Sequence, residues 1–338
     1  MDQRTSGGRT LEILLFSLSS MLLYFTGVGI FLFLVPLQVV ASRRGMRGLL
    51  TAIGAFFVVF LAIRFWPAIV SRGNTAPDIL TFMELCIVAA LMAGLIVVNA
   101  PIRRRPRTMI MILAATAAAG LVTVPVGSLI SSSASFQTAM NGLFTEISHT
   151  LSSVFATTAD GVASSLMASF LEPTRLRQMM ESYLLRSLLV DYAVMISFSW
   201  WAGQAAAARA LVLFGAAPRF RFAQFRLDSW WLWPLIGSAA LVLADLAFGP
   251  FTLAYAVWNI ALVMLFLYGL QGMAILWFLF DKHRIPRFLW ILLIVGLCII
   301  AATPGAGVFI VLAVPVLGIS ENWIRYRIPR KAAPTEED

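Results

Sequence analysis

Charged residues are scarce in this chain. They make up 12% of its 338 residues, about half their share in an ordinary soluble domain. Hydrophobic residues make up 60%, more than one soluble core of this size can hide. Cysteine and histidine are nearly absent. Cys86 and Cys298 both lie in apolar runs, which excludes a disulfide framework. His149 and His283 are far apart and have no cysteine nearby, so no metal site is expected. Strict alternation of apolar and polar residues is also missing, which argues against a membrane β-barrel. No His-Glu-x-x-His, Gly-x-Ser-x-Gly, Walker lysine or intramembrane Gly-Asp pair occurs. Ser128 has no histidine near it in sequence. The chain is therefore read as a non-enzyme without a cofactor.

The apolar residues form runs near 11–41, 49–70, 79–100, 108–130, 184–214, 230–248, 251–280 and 288–319. Most reach the roughly 18 residues that mark a transmembrane helix. The expectation is an all-α, polytopic transmembrane bundle of about eight apolar segments in one membrane domain. The first run continues to about Val40, longer than a signal-peptide core, and is expected to be retained. The net charge of +9 does not point to nucleic acid, because the basic residues sit in short connectors. These are Ser42–Arg47, Arg103–Arg107, Arg219–Arg226, Asp281–Arg287 and Arg325–Lys331. Short basic loops belong on the cytoplasmic side. Alternating the runs from 49–70 onward puts every one of these loops inside. The reading is a bacterial inner-membrane protein with both termini cytoplasmic.

The two terminal runs carry basic residues at both ends, so a single crossing would strand one basic end outside. As one helix, the run 288–319 would be about 48 Å long, against a hydrocarbon core of about 30 Å. Each terminal run is expected to bend into a hairpin, the last at Pro304–Gly305 and the first near Thr26–Gly29. One long tilted helix is the other reading at each end.

The segment 131–183 is too polar to span. Phe136, Met140, Leu143, Ile147, Leu151, Val154 and Phe155 recur at helical spacing, which predicts an amphipathic helix lying on or capping the outer face. Pro173 suits the first turn of the helix that follows. The tail 325–338 is basic, then acidic.

The C-terminal stretches "LFLYGLQGMAILWFLFDKHRIPRFLWILLIV" and "VPVLGISENWIRYRIPRK" resemble the YybS-like family of bacterial membrane proteins of unknown function. Gln271, Gly272, Leu317, Gly318, Glu321 and Trp323 occupy its motif positions. Phe225–Leu235 is similar to its "FRLP-x-W" entry, with Asp228 in place of proline. Val39–Ala55 resembles its early basic turn. The resemblance implies a distant likeness to the substrate-binding membrane subunits of energy-coupling-factor transporters. Such subunits bind solute from the outer face and partner with a coupling protein and ATPase subunits in trans.

Ionisable groups inside a membrane carry a functional hypothesis by default. Counting from the outer ends of their runs, Glu84 lies roughly 9 Å and Asp191 roughly 10 Å deep. Arg64, Asp245 and Asn259 fall in the same outer half, and Arg186 is shallower. The inner half offers little beyond Gln204, Arg209 and Gln271. Two readings remain open for the five residues Arg64, Glu84, Asp191, Asp245 and Asn259. They converge on a pocket for a small polar solute, with Arg64 holding a carboxylate or phosphate; or they are structural pairs and interfacial residues. Correspondingly, the protein either binds or helps transport a solute, or is a non-transporting scaffold that recruits envelope or cytosolic partners.

Overall fold

The computed structural model describes residues 3–27, 29–70, 79–100, 108–156, 170–212, 222–249, 251, 253–301, 303 and 306–327. The basic loop Arg103–Arg107, the start of the loop Arg219–Arg226, the bend at Pro304–Gly305 and the tail from 328 lie outside them. Among the described residues every regular element is helical. Two compact units are present, Met1–Ala217 and Pro218–Asp338.

The first unit contains α1 (Gln3–Phe25), α2 (Leu34–Val70), α3 (Ile79–Val98), α4 (Thr108–Ser131), α5 (Ala134–Ala156) and α6 (Pro173–Val212). The first apolar run turns after Phe25, with Gly27 at φ +69°, within the expected Thr26–Gly29 stretch. A second reversal follows inside α2, where Gly45 has φ 70° and ψ −166°, a conformation essentially restricted to glycine. The contacts show both changes of direction. Glu12 near the start of α1 pairs with Arg43 and Arg44. Tyr24 at its end packs edge-on against Phe33, Phe56 and Phe60. Residues 34–44 thus run antiparallel to α1, and residues 46–66 run parallel to it. Ser17 and Ser20 on α1 donate to Ala52 O (3.1 Å) and Phe33 O (2.5 Å), so the second half of α2 and the residue just before its first half each have a polar tie to α1.

The hydrophobic core of this unit is built from α1, α2, α3, α4 and α6. Phe33, Phe56, Phe60, Met92, Leu95 and Ile196 are fully buried in it. Gly203 of α6 packs directly on Gln38, which leaves no space for a Cβ. Gln38 and Asn99 form a reciprocal amide pair beside it. Helix α6 is a single element of 40 residues. It joins the expected span 184–214 to the helix that restarts at Pro173, and Pro173 is its first residue.

Helix α5 packs on α6, but its buried stripe differs from the periodicity reading. Phe136 and Phe144 are buried, whereas Leu143 and Val154 are exposed. The inward line follows 136, 140, 144, 147 and 151. Arg177 of α6 fastens α5 through Asn141 Oδ1 (2.5 Å) and Gln137 Oε1, and also pairs with Glu181.

The second unit opens with two short 3₁₀ turns, Phe222–Gln224 and Ser229–Trp231. They are followed by α7 (Leu232–Phe248), α8 (Ala254–Lys282), α9 (Arg287–Ala301) and α10 (Ala306–Ser320). The last apolar run is thus two helices of 15 residues each, about 22 Å long at 1.5 Å per residue. They flank the Pro304–Gly305 position and pack against each other. Helices α8 and α10 meet at backbone distance: a Cβ on Gly318 would lie 2.0 Å from Tyr268 O, and one on Gly272 2.0 Å from Val314 O. Close approach through small residues is the usual basis of helix association where lipid removes the hydrophobic drive.

Among the described residues, five helices are long and apolar enough to cross a membrane: Leu34–Trp66, Ile79–Val98, Met109–Ser131, Ser229–Phe248 and Ala254–Lys282. The first of them contains the Gly45 reversal. The apolar part of α1, Thr10–Phe25, is shorter.

Candidate functional site

Arg64, Glu84 and Tyr24 meet in the first unit. Tyr24 sits in the last turn of α1, Arg64 near the end of α2, and Glu84 in the second turn of α3. Arg64 Nη2 donates to Glu84 Oε1, and the Tyr24 hydroxyl donates to the same oxygen at 2.6 Å. The guanidinium carbon lies 5.2 Å from the Phe25 ring centroid and 6.0 Å from that of Phe60. Ring faces attract a cation and partly offset its loss of water. The pair is not sealed, since the Arg64 and Glu84 side chains are 35% and 24% exposed. Proximity of Arg64 and Glu84 followed from sequence, because both sit near the same end of successive antiparallel spans. Tyr24 did not: nothing distinguishes it from an ordinary aromatic at a helix end until the first hairpin is folded.

Asp191 belongs to the same unit but has a different partner, accepting a hydrogen bond from Ser187 one turn earlier at 2.9 Å. Its neighbour Tyr192 shares a hydrogen bond with Thr123 of α4 at 2.8 Å. Gly94 of α3 and Ile196 of α6 are in contact and fix a common level. Counted along the helices towards their N-termini, Glu84 lies about 15 Å from that level and Asp191 about 8 Å, at 1.5 Å per residue. Asp191 is therefore more than a helical turn away, along the helix axes, from the Arg64–Glu84 pair.

Asp245 and Asn259 belong to the second unit, where both are buried. Asp245 Oδ2 accepts from Trp258 Nε1 at 2.8 Å, which ties α7 to α8. Asn259 Nδ2 donates to the Tyr255 carbonyl at 2.8 Å.

A larger polar network in the second unit escaped the sequence reading. Gln271 Nε2 donates to Glu321 Oε2 (2.8 Å) and to Gly318 O (3.1 Å), while its Oε1 accepts from the Leu227 amide (2.9 Å). Arg327 Nε lies 2.9 Å from Glu321 Oε1, and its Nη2 donates to Oε2 at 2.9 Å. The same guanidinium donates to the carbonyls of Ala223 (2.7 Å) and Phe225 (2.8 Å). The Glu321 and Arg327 side chains are 4% and 13% exposed. Burial pulls the Arg327 guanidinium below its ordinary pKa, and the Glu321 carboxylate opposes that pull. Gln271, Gly272, Gly318 and Glu321 thus form one seam, and the segment Phe225–Leu227 completes it. The signal available in sequence was a carboxylate and an arginine six residues apart just past a span; that they share a buried glutamine required the fold. No family model, curated protein or solved structure matches the chain.

Proposed function

We propose that the chain is a multi-pass protein of the bacterial cytoplasmic membrane that binds a small polar solute from the outer face. The observation that carries this is the partial exposure of Arg64 and Glu84. A charge pair well down an apolar helix is costly against acyl chains, and such groups face a bundle interior or a water-filled cavity. The exposed edges of this pair therefore meet water or solute. Asp191, deeper in the same unit, is a second polar step along the path. Asp245 and Asn259 belong to the reading as polar groups of the second unit.

The topology that goes with this reading has about eight apolar segments, the first and last folded as hairpins, and both termini inside. Pairing of Glu12 with Arg43 and Arg44 supports it, because the two basic ends of the first run then share one level. Cysteines placed at Arg47 and Lys282 in an otherwise cysteine-free chain are expected to resist impermeant thiol reagents in intact cells and to react after permeabilisation. Reaction of either in intact cells overturns the topology. The likeness to the YybS-like family, and through it to energy-coupling-factor subunits, supplies a means of transport: a coupling protein and ATPase subunits in trans.

The test is thermal stabilisation of the detergent-purified chain by a broad panel of polar metabolites. A ligand is expected to raise the unfolding midpoint, and the rise is expected to vanish in Asp191→Ala. The internal partners of Glu84 and Asp191 favour a second reading, a membrane scaffold with no solute. That reading wins if the whole panel shifts nothing and a stable protein partner co-purifies.

A further inference from the structure

The chemistry of the solute follows from how incompletely Arg64 is engaged, an inference that rests on the solute-binding reading. Two other arginine–glutamate pairs set the comparison. Arg44 gives both Nε and Nη2 to Glu12 Oε2. Arg327 gives Nη2 to Glu321 Oε2, and its Nε lies 2.9 Å from Oε1 without forming a hydrogen bond. In both pairs the side edge of the guanidinium lies against the carboxylate, the edge that planar carboxylates favour. Arg64 offers Glu84 only Nη2. Its Nε is buried and has no acceptor, so the edge is half used. The carboxylate is equally one-sided, since Tyr24 and Arg64 both donate to Oε1. A buried N–H without an acceptor is rare and calls for an explanation. A missing acceptor beside a partly exposed guanidinium is one.

We propose that Arg64 seats a carboxylate of the solute, which forks onto Nε and Nη2 and displaces Glu84, and that the displaced Glu84 takes up one proton. The balance is simple. One anion and one proton enter from the outer aqueous phase, a carboxyl O–H bond forms on Glu84, and the net charge of the site stays the same. The titratable groups facing Glu84 are Tyr24 from α1 and Arg64 from α2. Among the described residues, α4, α5 and α6 bring it no hydrogen bond or ion pair. With the guanidinium turned to the solute, Tyr24 remains as the hydrogen-bond donor to Glu84. Phe25 and Phe60 keep their ring faces to Arg64 in either state.

The experiment uses the full chain in detergent, weakly buffered with a pH indicator, and titrated with acetate, propionate, lactate and glycine. Acetamide serves as the neutral isostere and phosphate as the tetrahedral anion. Binding of at least one carboxylate is expected, with about one proton taken up per bound anion and no response to acetamide. Glu84→Gln is expected to bind that carboxylate without proton uptake. Arg64→Lys, which keeps the charge and loses the fork, is expected to bind it roughly tenfold more weakly or worse. Proton uptake that persists in Glu84→Gln overturns the proposal, as does undiminished affinity in Arg64→Lys or tighter binding of phosphate than of every carboxylate. If Arg64→Lys fails to elute as a folded species, the proton count in Glu84→Gln decides alone. If only neutral solutes bind, independently of Arg64, this proposal falls and the solute-binding reading stands. If nothing binds, both fall.

Discussion

Gln38 and Asn99, 61 residues apart in sequence, face each other as complementary amides. Gln38 Nε2 donates to Asn99 Oδ1 at 3.1 Å, and Asn99 Nδ2 returns a hydrogen bond to Gln38 Oε1 at 2.7 Å. Gln38 is fully buried, and Gly203 closes over its side chain. The pair joins the short returning half of α2 to the end of α3, and α6 covers it.

Gln38→Leu leaves the Asn99 amide without its long-range partner. A loss of about 1–3 kcal/mol is expected. Gln38→Leu/Asn99→Leu is expected to cost less than the two single changes added together, by about 0.6–1.7 kcal/mol, the range found for polar pairs between membrane helices. Unfolding in mixed micelles with increasing denaturing detergent measures both quantities.

Packing at backbone distance makes a sharper forecast. Gly272→Ala and Gly318→Ala would each place a methyl 2.0 Å from a carbonyl oxygen of the facing helix. Both are expected to lower the yield of monodisperse protein on size exclusion, by separating α8 from α10. Gly237→Ala, in α7 with nothing within 4 Å of its Cβ, gains helix propensity of about 0.8–1 kcal/mol. It is expected to leave the elution profile unchanged.

Glu321→Ala strands the Arg327 guanidinium in a largely buried site. Removing one member of a buried pair costs about 3–5 kcal/mol. The double variant Glu321→Ala/Arg327→Ala is expected to recover part of that loss, because no buried charge is left unpaired. Thermal midpoints of the two variants, compared with the unaltered chain, settle the order.

Gly45→Ala tests the reversal in α2. No atom blocks a new Cβ there, so the penalty is conformational: a side chain at φ 70° and ψ −166° costs about 1–3 kcal/mol. A drop of that size is expected, while Gly54→Ala, also free of contacts and in the helical part of α2, is expected to be neutral or stabilising.

Much of this architecture is legible along the chain because glycine, proline and basic residues punctuate it. The bend after Phe25 and the division of the last run follow from Gly27 and from Pro304–Gly305. The Arg64–Glu84 pairing follows from two successive antiparallel spans, with each residue near the end where they join. What is not legible depends on neighbours distant in sequence. Tyr24 reaches Glu84 only because the first hairpin returns it to α2 and α3. The line on α5 runs through Phe144 rather than Leu143, because the partner helix and not the local period selects the buried face. Gln271, Glu321 and Arg327 look like a mid-span amide and two tail charges until α8, α10 and the residues before α7 are packed together.

The unbroken length of α6 has a mechanical consequence. Arg177, clamped to α5 at one end, and Gly203, pressed on Gln38 towards the other, lie on one continuous helix. They are separated by about 39 Å at 1.5 Å per residue. With no hinge between them, the helix acts as a rigid lever: a tilt imposed on the α5 cap arrives at the amide seam as a displacement rather than being absorbed along the way.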